Sequence, residues 1–284
     1  GDILLNDADE TRTGASTTGK VKLGGLTLGS SNGTGLLYVD YSDGVFSGTD
    51  DARVMFEFND AITLANNGII SGQDNNVRTD FLGGINDGGN GYELTIRGDG
   101  MGDGNANFGG IVHITGDSTG NFTGDVRLDF GTLRVGNAGA LGSGSIIFDG
   151  GAISSSVDGL TIANNIEEAD TDQIRFYGDD DKSLELSDDF AIPGSRTIRT
   201  KGDLTIEGAN TSAKETITFS GAITGSATSN GTKLALDGNT QGAGVISGGY
   251  TQSGNNADVT VNGGEWTFNN TVSRIADILT INSS

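Results

Sequence analysis

The chain has no cysteine, one proline, one histidine and one tryptophan among its 284 residues. Lack of cysteine leaves no disulfide framework, which suits a bacterial exterior, where disulfides are optional, and equally the cytosol. Hydrophobic residues make up only 34% of the chain, so long helices and a thick globular core are both poorly supplied. No apolar run approaches the ~20 residues of a membrane helix, and the segment is not membrane-embedded in this reading. No stretch longer than about ten residues carries a sustained 3.6-residue pattern. Basic residues are scarce, 16 against 38 acidic, and the net charge of −22 repels phosphate backbones and anionic lipid surfaces. Nucleic-acid and lipid-headgroup roles are thereby excluded. The chain opens at Gly1 without an initiator Met or a signal-like segment, as expected of a processed piece of a longer product.

Glycine is abundant, with 49 residues. It closes short alternating phrases such as Gly131-Thr-Leu-Arg-Val-Gly136, Gly144-Ser-Ile-Ile-Phe-Asp-Gly150, Gly202-Asp-Leu-Thr-Ile-Glu-Gly208 and Gly263-Gly-Glu-Trp-Thr-Phe268. Each phrase is too short to bury a core alone, so the natural solution is to stack many of them as rungs of a solenoid. Glycine and asparagine at the strand ends permit positive φ at each corner. Strands are expected at Val21 to Leu28, Val126 to Phe130, Leu133 to Val135, Ile146 to Phe148, Ile217 to Phe219 and Trp266 to Phe268, with alternate side chains inward. Ala163 to Ala169 has room for one helical turn. The rhythm runs from Ile3 to Ile281 without a linker, so residues 1–284 read as one elongated all-β domain, a right-handed parallel β-helix. The alternative is a β-sandwich, because Asn-Gly at Asn32, Asn67, Asn90, Asn230 and Asn262 is a favoured hairpin turn.

The stretch Ile111 to Ser154 contains Phe122-Thr-Gly124, Gly131-Thr-Leu133 and the corner Gly136-Asn-Ala-Gly-Ala-Leu-Gly142, followed by another strand. It resembles the autotransporter-associated β-strand repeat of bacterial secreted passenger domains. A weaker echo spans 216–268, in Thr216-Ile-Thr-Phe-Ser-Gly-Ala-Ile-Thr-Gly225, Gly244-Val-Ile-Ser-Gly248 and Val261 to Phe268. The resemblance implies a right-handed parallel β-helix on the bacterial surface and no activity, since the repeat is a scaffold and transport module in that family.

Several motifs have plain structural readings. Gly14-Ala-Ser-Thr-Thr-Gly-Lys20 falls short of a phosphate-binding loop, because Val21 stands where Ser or Thr is required and a strand follows instead of a helix. Gly88-Gly-Asn-Gly-Tyr-Glu93 is half of a calcium-binding nonapeptide with Glu in place of Asp, and reads better as a corner. Arg97-Gly-Asp99 and Lys201-Gly-Asp203 stand at strand edges, where a loop would present them to a receptor, yet such tripeptides arise easily in this composition. The Asn-x-Ser/Thr sequons at Asn32, Asn121, Asn210, Asn230, Asn269 and Asn282 are turn residues in a bacterial product.

His113 has no acid or nucleophile near it in sequence, so it reads as a strand residue and not a catalytic base. The acidic run Asp179, Asp180 and Asp181, with Asp188 and Asp189, is a solvated loop and the first candidate for Ca²⁺; no other cofactor is expected. Only Phe176, Tyr177 and Lys182 stand near it to help bind a sugar. The expectation is therefore a non-enzymatic structural or adhesive solenoid, extracellular or on the bacterial surface, with a glycan or cell-surface ligand as a candidate partner. Copies are expected to self-associate end to end into an oligomer or filament through Ile3, Leu4 and Leu5 at one end and Ile278, Leu279 and Ile281 at the other. The competing expectation is a polysaccharide lyase or hydrolase, or a glycan-binding module, on the same β-helix.

Overall fold

The structure, a computed structural model, describes residues 3–6, 20–40, 54–72, 77–98, 110–169, 173–179, 182–193, 196–204, 215–226, 233–238, 242–253, 258–270 and 278–281. Among these residues the chain is all-β, with no helix, and its strands pair in parallel. It divides into an N-terminal unit, Gly1–Gly144 with Ile206–Gly208, and a C-terminal unit, Ser145–Thr205 with Ala209–Ser284.

In the N-terminal unit the backbone visits three sheets in turn. The first contains Ile3–Asn6, Gly35–Asp40, Gly68–Gly72, Leu94–Gly98 and Val126–Asp129 in that order. The second contains Lys20–Leu23, Val54–Phe58, Val77–Phe81, Ile111–Ile114 and Thr132–Val135, and the third Leu26–Leu28, Ile62–Leu64 and Ile85–Asn86. Successive members of a sheet are separated by two strands of other sheets, or by one after Ile85–Asn86, where the third sheet ends, as stacked coils require. In-register columns result: Leu37, Ile70, Ile96 and Leu128 in the first sheet, and Phe58, Phe81, Ile114 and Val135 in the second. All eight are buried, and burial of each contributes ~1.5–3 kcal/mol. Phe58 and Phe81 stack with ring centroids 4.9 Å apart and planes 12° from parallel.

Coil spacing explains two of the glycines. A Cβ on Gly144 would lie 1.9 Å from the Gly124 carbonyl oxygen, and one on Gly124 would lie 1.9 Å from that of Tyr92. Backbone stacks directly on backbone there, and only glycine fits. Where the third sheet lacks a further strand, turns take over, and Ser118 ties three coils. Its buried hydroxyl accepts from Ile85 N at 2.8 Å and donates to Ala140 O at 2.6 Å, while its own N donates to Gly139 O at 2.9 Å.

The C-terminal unit repeats the scheme. Its sheets run Ile146–Phe148, Ile166–Glu168, Phe190–Pro193, Ile223–Ser226, Tyr250–Ser253; then Ala152–Ser155, Gln173–Asp179, Arg196–Leu204, Lys233–Gly238, Asp258–Val261, Ile278–Ile281; then Leu160–Ile162, Leu184–Leu186, Glu215–Phe219, Gly242–Ile246, Glu265–Phe268. Buried columns include Ile166, Phe190, Ile223 and Tyr250, and Ile162, Leu186, Phe219 and Ile246. Phe176 packs between Phe148, centroid 5.3 Å away, and Phe219, 5.1 Å away and edge-on.

Several expectations need correction. Val21 to Leu28 is two strands broken at Gly24-Gly25, and the strand from Val126 ends at Asp129, because Phe130 turns the corner with φ 60°. Ala163 to Ala169 makes no helical turn; Ile166–Glu168 is a strand paired with Ile146–Phe148. Strands at Ile62–Leu64, Gly68–Gly72, Val77–Phe81, Ala152–Ser155, Phe190–Pro193, Ile223–Ser226 and Tyr250–Ser253 were not expected, being short or rich in Gly, Ser, Thr and Asp. The β-sandwich alternative fails on the parallel pairing. Of the Asn-Gly pairs, only Asn32-Gly33 closes an antiparallel contact, an isolated bridge from Ser30 to Gly33; Asn230 lies outside the described residues. Trp266 and Phe268, expected inside, are half-buried in the last described strand of their sheet.

Candidate functional site: a charged row across the second sheet

Strand alternation puts Phe56, Phe58, Thr79, Phe81, Val112, Ile114, Leu133 and Val135 on the core face of the second sheet in the N-terminal unit. The opposite face carries a row of ionisable residues in direct register: Lys22 opposite Glu57, Glu57 opposite Asp80, Asp80 opposite His113, and His113 opposite Arg134. Arg78 stands two residues before Asp80 and so shares its face. Although they point away from the core columns, Glu57, Arg78, Asp80, His113 and Arg134 are all under 8% exposed. Buried charges persist only when paired, and Glu57, Arg78 and Asp80 are. Arg78 Nε donates to Asp80 Oδ1 at 2.6 Å, Arg78 Nη2 lies 2.9 Å from His113 Nδ1, and Lys22 Nζ lies 3.3 Å from Glu57 Oε1.

Two contacts compete for His113 Nδ1, since Asp80 Oδ1 is also 3.3 Å from it. A guanidinium has only donors, so Nδ1 accepts in the Arg78 contact and can donate to Asp80 only when the ring carries a proton there; the two contacts are alternatives. Burial and then the Arg78 and Arg134 charges push the imidazole below its ordinary value, against the hydrogen bond and charge of Asp80. Burial alone would raise the Asp80 carboxyl, but hydrogen bonds from His113 and Arg78 together with their charges hold it below the usual range. The row thus unites a carboxylate, a neutral imidazole and guanidinium groups across three strands. That chemistry can carry proton transfer at a sugar, or it can lock the strands together.

The reading of His113 as a residue without a nearby acid is therefore corrected: Asp80, 33 residues earlier, meets it through the sheet. The available signal is an ionisable residue between two core-facing neighbours in three phrases, Arg-Thr-Asp-Phe81, Val-His-Ile114 and Leu-Arg-Val135, which becomes readable once Val77–Phe81 is recognised as a strand.

The acidic run behaves differently. Asp179 ends the strand Gln173–Asp179 at a register shift, and Asp180 and Asp181 lie outside the described residues. Asp188 Oδ1 accepts from Asp189 N at 2.9 Å, and Asp189 Oδ1 from Ala222 N at 2.8 Å, so both carboxylates brace backbone. Phe176 is core and offers no sugar-stacking surface. Among the described residues no three His, Asp or Glu side chains are grouped to hold a metal. In the nonapeptide-like corner, Asp87 is turned inward and accepts from Gly89 N at 2.8 Å, Gly91 N at 2.8 Å, Tyr92 N at 3.2 Å and Thr123 Oγ1 at 3.2 Å. Burial opposes its ionisation, yet the Gly89, Thr123 and Gly91 bonds hold its carboxyl below the usual range.

Of the phosphate-loop-like segment, residues 14–19 lie outside the described residues and Lys20 begins a strand. Arg97 is engaged by Asp129 at 2.8 Å, Asp99 is not described, and Lys201 to Asp203 lies within the strand Arg196–Leu204 and not at its edge. Ile3, Leu4 and Leu5 pair with Leu37, Tyr38 and Val39, and Ile278, Leu279 and Ile281 with Asp258, Val259 and Val261; each strand is the outermost described member of its sheet. Compared with family models, curated proteins and solved structures, the chain shows no match.

Proposed function

We propose that this protein is the body of an extracellular or surface-displayed bacterial β-solenoid, a right-handed parallel β-helix that serves as a structural or adhesive element. Parallel crossovers are right-handed in nearly all proteins, and the repeat-like stretch 111–154 points the same way. The observation that carries the reading is where the polar side chains go: they brace neighbouring coils. Ser118 joins three coils, Asp158 accepts from Ser183 N at 3.0 Å and Oγ at 2.7 Å, and Glu185 accepts from Thr161 at 3.2 Å and from Ser220. Such ladders stiffen a stack, which is what a spacer or adhesin requires. In this reading the strands Ile3–Asn6 and Ile278–Ile281 are the edges through which copies meet end to end, and a glycan or cell-surface molecule is the ligand.

One observation favours a second reading: Asp80, His113, Arg78, Glu57 and Arg134 converge on one face of a parallel sheet, as a glycan lyase or hydrolase on a β-helix would need. One experiment separates the two. The protein is incubated with acidic polysaccharides, with and without Ca²⁺, and assayed for unsaturated or reducing-end products, while light scattering and electron microscopy follow assembly in saline. Rods or strings of subunits without products are expected. Turnover that disappears in His113→Gln would replace the structural reading with the enzymatic one.

A further inference from the structure

His113 is the only histidine of the chain, and the strands on both sides of it, Val77–Phe81 and Thr132–Val135, lie within the described residues. Three groups of the charged row form a closed triangle. Asp80 Oδ1 accepts from Arg78 Nε at 2.6 Å and stands 3.3 Å from His113 Nδ1, while Arg78 Nη2 stands 2.9 Å from the same Nδ1. A guanidinium never accepts and a carboxylate never donates, so the Arg78 contact needs a bare Nδ1 and the Asp80 contact a protonated one. One nitrogen thus has two mutually exclusive partners already within reach, and a single proton decides between them.

Charge balance gives that proton leverage. Among the described residues, the charged groups facing His113 are Arg78 and Asp80 on the preceding strand and Arg134 on the following one. Glu57, opposite Asp80, and Lys22, opposite Glu57, extend the row. Its buried members other than His113 are two guanidiniums and two carboxylates, which balance while the ring is neutral. A protonated ring adds a positive charge between Arg78 and Arg134, on a face that water hardly reaches, where an uncompensated charge is costly.

We propose that His113 is a proton-operated selector that makes the second sheet of the N-terminal unit pH-sensitive. With Nδ1 bare the ring takes Arg78. With Nδ1 protonated it releases Arg78 and closes on Asp80, to the ~2.7–2.9 Å of a charge-assisted hydrogen bond. The added charge then weakens the hold of Ile111–Ile114 on the strands beside it. The device operates in a structural solenoid and in an enzyme alike, because it acts on the sheet and not on a ligand.

A single histidine gives a single pair of ring-nitrogen signals, so the intact protein carrying isotope-labelled histidine is followed by nuclear magnetic resonance from mildly alkaline to mildly acidic pH. Above the midpoint Nδ1 is expected to be unprotonated and accepting; below it Nδ1 should carry a proton bonded to a carboxylate, with the midpoint under 6.5. Arg78→Met should raise the midpoint and Asp80→Asn should lower it. Hydrogen exchange at Val77–Phe81, Ile111–Ile114 and Thr132–Val135, corrected for the intrinsic rate, reads the coupling to the sheet. Opening should grow by up to about tenfold per pH unit from 6.5 down to the midpoint, level off below it, and stay flat in His113→Gln. A midpoint of 6.5 or above, an Nδ1 protonated on both sides of it, or a midpoint that Arg78→Met leaves in place overturns the selector. The ring signals of the unsubstituted protein decide this even where a variant does not fold. Exchange that ignores the titration, or follows it in His113→Gln, overturns the coupling.

Discussion

Two Arg–Asp pairs of nearly equal length test whether the charged row locks the second sheet. Arg78 and Asp80 meet at 2.6 Å with side chains 8% and 5% exposed; Arg97 and Asp129 meet at 2.8 Å with side chains 44% and 21% exposed. Asp80→Ala removes the carboxylate from a buried guanidinium and from the His113 ring, which should cost about 3–5 kcal/mol. Asp129→Ala breaks a pair screened by water and should cost about 0–1 kcal/mol. The difference, at least about 2 kcal/mol, corresponds to a factor of roughly 30 or more in the population of locally opened molecules. Hydrogen exchange at Val77–Phe81, Ile111–Ile114 and Thr132–Val135, measured at neutral pH for both variants, reads this directly. If the two variants exchange alike, to within about 1 kcal/mol, burial does not set the strength of the row and its interlocking role is refuted.

The His113 imidazole is depressed from 6.5 and the Asp80 and Asp87 carboxyls from 3.8, so at these pH values the unfolded protein binds more protons than the folded one. Stability should therefore be full above pH 6.5, fall as the pH drops toward the folded value of His113, and fall again below 3.8; the first step should be absent in His113→Gln, as thermal melts across pH will show. Ser118→Ala orphans the buried Ile85 N–H and Ala140 C=O and should cost about 1–3 kcal/mol for each, read by urea unfolding. Leu133→Asp places a carboxylate at a position with no exposure and should lose strand signal in circular dichroism and resistance to protease around the N-terminal unit; an unchanged, resistant protein would reject the packing.

Strand content was legible because alternation is local: Ile217 and Phe219, or Leu133 and Val135, declare their inward face within a single phrase, and the structure buries all four. Glycine abundance likewise declared tight corners, and Gly124 and Gly144 show why, with a backbone oxygen 1.9 Å from where each Cβ would be. Partner choice was not legible. An Asn-Gly pair favours a hairpin locally, but at Gly68 the glycine opens a strand that pairs in parallel with neighbours on both sides, Gly35–Asp40 and Leu94–Gly98, and that pairing outweighs the turn preference. Strands such as Val77–Phe81 and Ile223–Ser226 have too little propensity of their own and exist because flanking strands supply their hydrogen bonds. The charged row was equally hidden. Asp80 and His113 are 33 residues apart, and only the parallel register, which depends on the length of every intervening corner, sets them opposite each other. Sequence by itself thus determined that the protein would form short alternating strands closed by glycine, because both signals act within a few residues. Tertiary structure decided which strand lies beside which, and so which charges share a buried face, because that energy exists only once distant coils are in contact.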